Sequence, residues 1–135
     1  MGRGPGREQN VKPINTKEKL MEQLNRIEIR GVVGAVRSQI INGNKMSKFS
    51  VATSRAYKDR EGVAQIDTTW HNVIAWESDK ITDLDKIQAG SKVYALGRLQ
   101  TQKYMGADGV ENTYYEVVAS KVNLIESDEP LQYAM

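Results

Sequence analysis

The chain has two tryptophans, Trp70 and Trp76, and one histidine, His71, all within the stretch TTWHNVIAW. If this stretch is a strand, its side chains alternate between two faces. Trp70, Asn72, Ile74 and Trp76 then share one face; His71, Val73 and Ala75 share the other. The second face is small and suits a tight core. The first is aromatic at both ends with an amide near the middle. Two roles fit such a face. Strand aromatics pack into a core or a subunit interface. They also form platforms for flat π-systems such as nucleobases, worth roughly 1–3 kcal/mol per stacked base whatever the base is. Six residues of strand separate the two rings by about 20 Å, enough for each to hold a different nucleotide of one extended strand.

Phosphate requires cations, and these are unevenly placed. From Arg26 to Arg60 there are eight Lys/Arg against Glu28 and Asp59, a net +6. From Glu61 to Gly90 there are Lys80 and Lys86 against six acidic residues, a net −4, although the whole chain carries only +2. The basic segment suits a polyanion, or else a solvated face whose charges balance in three dimensions. The candidate phosphate contacts are Arg37, Lys48, Arg55, Lys58, Arg60 and Lys103, with Arg98 and Lys45 weaker. Basic and aromatic residues interleave: Arg55, Lys58 and Arg60 flank Tyr57, and Lys103 precedes Tyr104.

Catalytic chemistry finds little support. The chain has no cysteine, which excludes disulfides and thiolate metal sites and fits a reducing cytoplasm. One histidine excludes a multi-histidine metal site. No nucleophile motif accompanies His71, so a satisfied or interface histidine is expected. Asp67 and Glu61 form no carboxylate cluster with ligand spacing, which disfavours a metal-dependent nuclease. No catalytic residue, metal or cofactor is expected. No apolar run approaches membrane-spanning length, and the start lacks an apolar signal core, so no membrane partner is expected.

The elements that must position these residues follow from turn and capping signals. A length of 135 residues suggests one domain. Residues 1–13 read as a flexible tail. NTKEKLMEQLN reads as a short helix, capped by Asn15 with Glu18 in capping-box position, and its stripe of Leu20, Met21 and Leu24 should pack on the domain or a neighbouring subunit. RIEIRGVVGAV is a strand bent at Gly31 and Gly34. Asn42–Gly43 is a turn. KFSVATSRAY is the next strand, YKDREGVAQID a polar loop, and TTWHNVIAW the third strand. TDLDKIQAG reads as a short helix, capped by Thr82 and stopped by Gly90. SKVYALGRLQTQKY and TYYEVVASKVNLI are two more strands, joined by an Asp-Gly turn in MGADGVEN. Five strands curved by glycine, with a helix between the third and fourth, describe an all-β, five-stranded barrel of the oligonucleotide/oligosaccharide-binding (OB) type, with an extra N-terminal helix. One detail conflicts: Phe49, Val51 and Tyr57 share a parity, yet the first two belong in a core and Tyr57 outside. A twist or bulge between Ala52 and Ala56 would reconcile them.

The wording and order of NRIEIRGVVG, FSVATSRAYKD, TTWHNVIAW and IQAGSKVYALGRLQTQKY…YYEVV resemble bacterial single-stranded DNA-binding proteins, from about Asn25 to about Ile125. The resemblance implies a homotetrameric OB-fold protein that wraps single-stranded DNA without strong sequence preference during replication, recombination or repair. It implies a bacterial, cytoplasmic, nucleoid-associated setting. It also implies base stacking at four positions. The aromatic ending the ATS strand is usually Trp and is Tyr57 here. The Trp before the third-strand His is Trp70. The aromatic six residues later is often Phe and is Trp76 here. The Trp in the loop after the fourth strand is replaced by Tyr104. Tyr94, Tyr114 and Tyr115 read as structural.

The expected organisation is a tail and short helix over residues 1–24, a single-stranded DNA-binding domain over 25–125 and a short acidic tail over 126–135. Usual members carry a long tail with an acidic tip and a terminal Pro-Phe. Here ESDEPLQYAM supplies Glu126, Asp128, Glu129 and Pro130 but no terminal Phe, so the resemblance implies replication or repair proteins as partners without the usual acidic Pro-Phe tip to recruit them. A primosome-type accessory protein bridging DNA and replication proteins is the alternative reading; a barrel-type nuclease is third.

Overall fold

The computed structural model describes residues 20–134. Five strands, β1 (Ile27–Ile41), β2 (Asn44–Lys58), β3 (Ala64–Trp76), β4 (Lys92–Met105) and β5 (Glu111–Ile125), form a closed barrel in the order β1-β2-β3-β5-β4. All neighbours are antiparallel except β3 and β5, which meet in parallel at Val73↔Val117 and Ile74↔Val118. Closure comes from β1 serving two partners. Its first half pairs with β4 from Ile27↔Gly97 to Val32↔Lys92, and its second half pairs with β2 out to Ile41↔Asn44. The strand bends between them, at a register shift between Val33 and Val36. The Asn42–Gly43 turn has φ of 51° and 81°, a left-handed pair that Asn and Gly tolerate and that matches strand twist.

The core consists of inward-facing residues from every strand: Ile29, Val33, Phe49, Val51, Val73, Ala75, Val93, Ala95, Val117 and Val122. Leu84 and Ile87, from the connection after β3, join this cluster. Burying each of the Val, Ile, Leu and Phe side chains contributes about 1.5–3 kcal/mol. The connection itself is shorter than the helix expected from the sequence. Only Leu84–Lys86 turns, as a 3-10 segment, and its cap is Asp83, whose carboxylate accepts from the Asp85 amide at 3.0 Å. Thr82, the expected cap, lies one residue before Asp83; its amide donates to Val122 O at 2.9 Å and, with the bridge of Ile81 to Val122, ties this stretch to β5. Gly90 closes the connection with φ of 93°.

The polar loop is likewise shorter than expected. Tyr57 and Lys58 end β2, and Ala64 to Asp67 begin β3, leaving Asp59 to Val63 as the loop. The Asp59 carboxylate organises it, accepting from the amides of Val63 (2.9 Å) and Glu61 (3.0 Å) and from Gln65 Nε2 (3.1 Å). The Val63 and Gln65 bonds hold its carboxyl below the usual range. Strand pairing was hidden here because this ribbon extends past the barrel, so neither face carries an apolar row. The same fact resolves the parity conflict. β2 and β3 pair without a slip from Met46↔Trp76 to Lys58↔Ala64, so no bulge separates Val51 from Tyr57. Tyr57 lies on the core row, but beyond the point where β1 leaves β2 at Val32↔Ala52.

Asn15 and Glu18 of the expected N-terminal helix lie outside the described residues. The part that is described, Leu20 to Arg26, is not helical, and Leu20, Met21 and Leu24 are exposed, Met21 to 95%. Asn25 anchors this approach: its side chain donates to Leu99 O and accepts from Leu99 N, both at 2.9 Å. At the other end, the segment after β5 folds back. Lys92 Nζ donates to the carbonyls of Glu129 (2.6 Å) and Ser127. Ala134 then pairs with the outer edge of β2, donating to Ser54 O (2.9 Å) and accepting from Ala56 N (3.2 Å). Pro130 to Ala134 cover a cavity also lined by Ile27 to Val32, Ala52 to Ser54 and His71. No helix among the described residues is long and apolar enough to cross a membrane.

His71 is half-buried at the edge of this cavity, with Nε2 2.8 Å from Thr53 Oγ1. Burial lowers its pKa below the ordinary 6.5. The unfolded chain therefore binds a proton at higher pH than the folded one, so stability is complete above about pH 6.5 and declines as pH falls through the ordinary histidine range. Denaturant titrations at pH 7.5 and 5.5 should show that loss, and the pH difference should shrink in His71→Gln.

Candidate functional site

Alternation along β3 divides its residues as the sequence predicts. Val73 and Ala75 are 1% and 0% exposed, whereas Trp70 and Trp76 are 59% and 39% exposed on the outer face. Trp70 stands opposite Ala52 on β2, and its ring lies over Gly34 of β1. A Cβ at Gly34 would meet Trp70 Cζ3 at 2.6 Å and Ser50 Oγ at 2.9 Å, so only glycine lets the ring lie against the sheet. Ser50 Oγ also accepts from Ala35 N at 3.0 Å, fixing the backbone beneath the ring. Trp76 stands at the far end of β3, opposite Met46, which is buried.

Between these rings runs a groove lined by Ala35, Val36, Arg37, Lys48, Ser50, Asn72, Tyr114 and Glu116, with core residues Phe49 and Val73 at its floor. Arg37 and Lys48 are register partners on β1 and β2, which brings two of the expected cations side by side. The outer row continues onto β5 and β4. Tyr114 meets Tyr104 edge to face, with centroids 5.9 Å apart and planes at 60°. Gln102, opposite Tyr114, donates from Nε2 to Glu116 Oε1 at 3.3 Å. Trp70, Trp76, Tyr104, Arg37 and Lys48 are therefore gathered on one outer face.

The other expected residues stand elsewhere. Tyr57 and Arg55 lie on the opposite face of the β2–β3 ribbon from Trp70, because 55 and 57 continue the row of Phe49 and Val51. Arg55 sits over the Tyr57 ring, 4.9 Å from its centroid, and 3.5 Å from Asp67, its register partner. Lys58 ends β2 opposite Ala64, on the Trp70 side of the ribbon, and Arg60 is at the loop. Lys103 alternates away from Tyr104 on β4. Arg98 Nη1 donates to Gln100 at 2.7 Å. Lys45 is paired with Asp85 at 2.6 Å, and that hydrogen bond raises its pKa. Tyr94 donates to Glu28 at 2.6 Å beneath Arg30.

Sequence reasoning placed Asn72 on this face but missed Gln102, Tyr114 and Glu116 as its neighbours. Alternation in YYEVV is the signal that could have set Tyr114 and Glu116 on the face opposite Val117. What it lacked was the pairing that sets them beside β3 and β4. Among the described residues, no group of three or more His, Asp or Glu is arranged to hold a metal ion.

Residues 24–125 match the model of the "single-strand binding protein family". A single-stranded DNA-binding protein of Neisseria meningitidis serogroup A is 37% identical over 86 residues, covering 62% of this chain and 48% of that protein. Single-stranded DNA-binding protein 1 of Chlorobaculum tepidum is 34% identical over 85 residues, covering 60% of this chain and 51% of that protein. The chain thus spans about half the length of these curated relatives. Among solved structures, a Plasmodium falciparum SSB in complex with ssDNA superposes with a TM-score of 0.65 at 30% identity, covering 79% of this chain and 97% of that one. A small single-stranded DNA-binding protein from Streptomyces coelicolor, 17% identical, shares the fold with a TM-score of 0.58, covering 78% of this chain and 97% of that one.

The contact between Trp70 and Gly34 is testable alone. In a Trp76→Phe background, Gly34→Ala should lift the Trp70 ring into water and red-shift its fluorescence. The fold should survive, because an exposed ring can move at a cost of about 1–3 kcal/mol or less. An unshifted spectrum would show that the ring does not rest on Gly34.

Proposed function

The chain belongs to the single-strand binding protein family, and from that premise we propose that it binds single-stranded DNA with low sequence specificity and without catalysis. The observation that carries this reading is the outer face on which Trp70 and Trp76 stand exposed at the two ends of one strand, with Arg37 and Lys48 beside the groove between them. Bases stack on the rings, and because every base has a π-face the platforms accept any sequence. Tyr104, braced edge-on by Tyr114, extends the platform across β4 and β5. The cations release counterions when phosphates replace them, which adds affinity without sequence information.

The two ribbons that leave the barrel lengthen the path. Tyr57, Arg55, Lys58 and Arg60 lie on the β2–β3 ribbon, and Lys103 lies on the β4–β5 ribbon. Tyr57 faces away from Trp70, so both engage one DNA strand only if that strand crosses the ribbon's edge. Four copies in a closed, symmetric assembly give a continuous route for such a strand. Bound in this way, DNA is shielded from pairing and degradation during replication, recombination or repair.

Titrations with a dT oligonucleotide, a duplex and an RNA of equal length test the reading. Preference for the single strand, with quenching of tryptophan fluorescence, is expected. Trp70→Ala and Trp76→Ala should each weaken binding by roughly 1–3 kcal/mol, with little change in salt dependence. Lys58→Ala should weaken all sequences alike and reduce the slope of log affinity against log salt by about 0.7. Unchanged emission at saturating oligonucleotide would remove the tryptophans from the site, and sedimentation of a monomer at micromolar concentration would remove the tetramer.

A further inference from the structure

We infer that Glu116 is an internal competitor of phosphate for Lys48, a positioning residue that limits how tightly the proposed DNA face holds its strand. The inference rests on the reading of that face as a single-stranded DNA site. Glu116 belongs to the outward row of β5, between Tyr114 and Val118, and is paired with Gln100 of β4. A carboxylate in an outward row is normally solvated. This one is 3% exposed, the only charged residue among the buried residues of the described chain. It is held by two groups. Gln102 donates to one oxygen at 3.3 Å, and the Lys48 ammonium lies 3.6 Å from the other.

The energetics of that arrangement are asymmetric. A buried carboxylate is costly to leave without a compensating charge. The Lys48 side chain is 41% exposed along the groove that it lines, while the Glu116 side chain is 4% exposed. When Lys48 swings to a phosphate, Glu116 keeps only a neutral amide. The cost of uncovering it is subtracted from the phosphate contact. Lys48 thus gives less affinity than its exposure suggests, and Glu116 sets the discount. The advantage is a strand that is held by stacking and released readily, as a protein that must yield its DNA requires.

A double-mutant cycle decides the assignment, using a dT oligonucleotide at several salt concentrations and thermal melts as the control for folding. Glu116→Gln keeps an acceptor for Gln102 and removes the charge. It should tighten binding roughly three- to tenfold at low salt and steepen the salt slope by about 0.7, as one further phosphate is neutralised. In a Lys48→Met background both gains should vanish. Gains that persist without Lys48 would mean simple removal of a repulsive charge and would overturn the competitor role, as would a slope unchanged from wild type. If Glu116→Gln melts abnormally, Glu116→Asp draws the charge back from Lys48 by one methylene and should steepen the slope in the same direction; an unchanged slope there also overturns the assignment. Wild-type protein that retains no oligonucleotide at low salt overturns the DNA reading and this inference together, whereas binding with equal slopes overturns this inference alone.

Discussion

The unbroken ladder between β2 and β3 is the constraint on which the rest of the structure depends. From Met46↔Trp76 to Lys58↔Ala64 the register never slips. Strand geometry has a period of two, so one ladder without a bulge fixes the facing of every side chain along both strands. It places Phe49, Val51, Val73 and Ala75 in the core and Trp70 and Trp76 outside. A one-residue slip would exchange the two rows, burying the tryptophans' row and exposing the valines. The aromatic face and the hydrophobic core are thus two sides of one constraint.

Where that ladder is straight, β1 must bend, and the bend does two jobs. It lets a single strand close the barrel by pairing with β4 in its first half and β2 in its second. It also brings Gly34 beneath Trp70, so that the ring lies against the sheet. Gly31 has a comparable duty on the other side of the bend: a Cβ there would meet Ala52 O at 2.1 Å. These glycines matter through the space they leave for a neighbour.

The electrostatics are more restrained than a count of basic residues implies. Lys45 is taken by Asp85, Arg55 by Asp67 and the Tyr57 ring, and Lys48 by Glu116. The two exposed pairs, Lys45–Asp85 and Arg55–Asp67, contribute little to stability. They do orient the cations and partly neutralise them, which moderates a basic segment without removing its attraction for a polyanion.

Local signals in the chain carried most of the architecture. Alternation in TTWHNVIAW assigned the two faces of β3, Asn42–Gly43 marked a turn, and Asp108–Gly109 marked another, with Gly109 at φ of 81°. Five strands followed from these, because each depends only on residues near one another in sequence. The tertiary structure decided what depends on pairing between distant segments. It shortened the expected helix to Leu84–Lys86, capped by Asp83, and tied Thr82 just before it to Val122 O, forty residues away. It turned part of an apparent loop into a ribbon, since strands beyond the barrel lose their apolar row. It separated Tyr57 from Trp70, which parity alone relates only once the register is known. It buried Glu116 against Lys48, a pairing that no spacing announces, because the two residues become neighbours only through the parallel contact of β3 with β5.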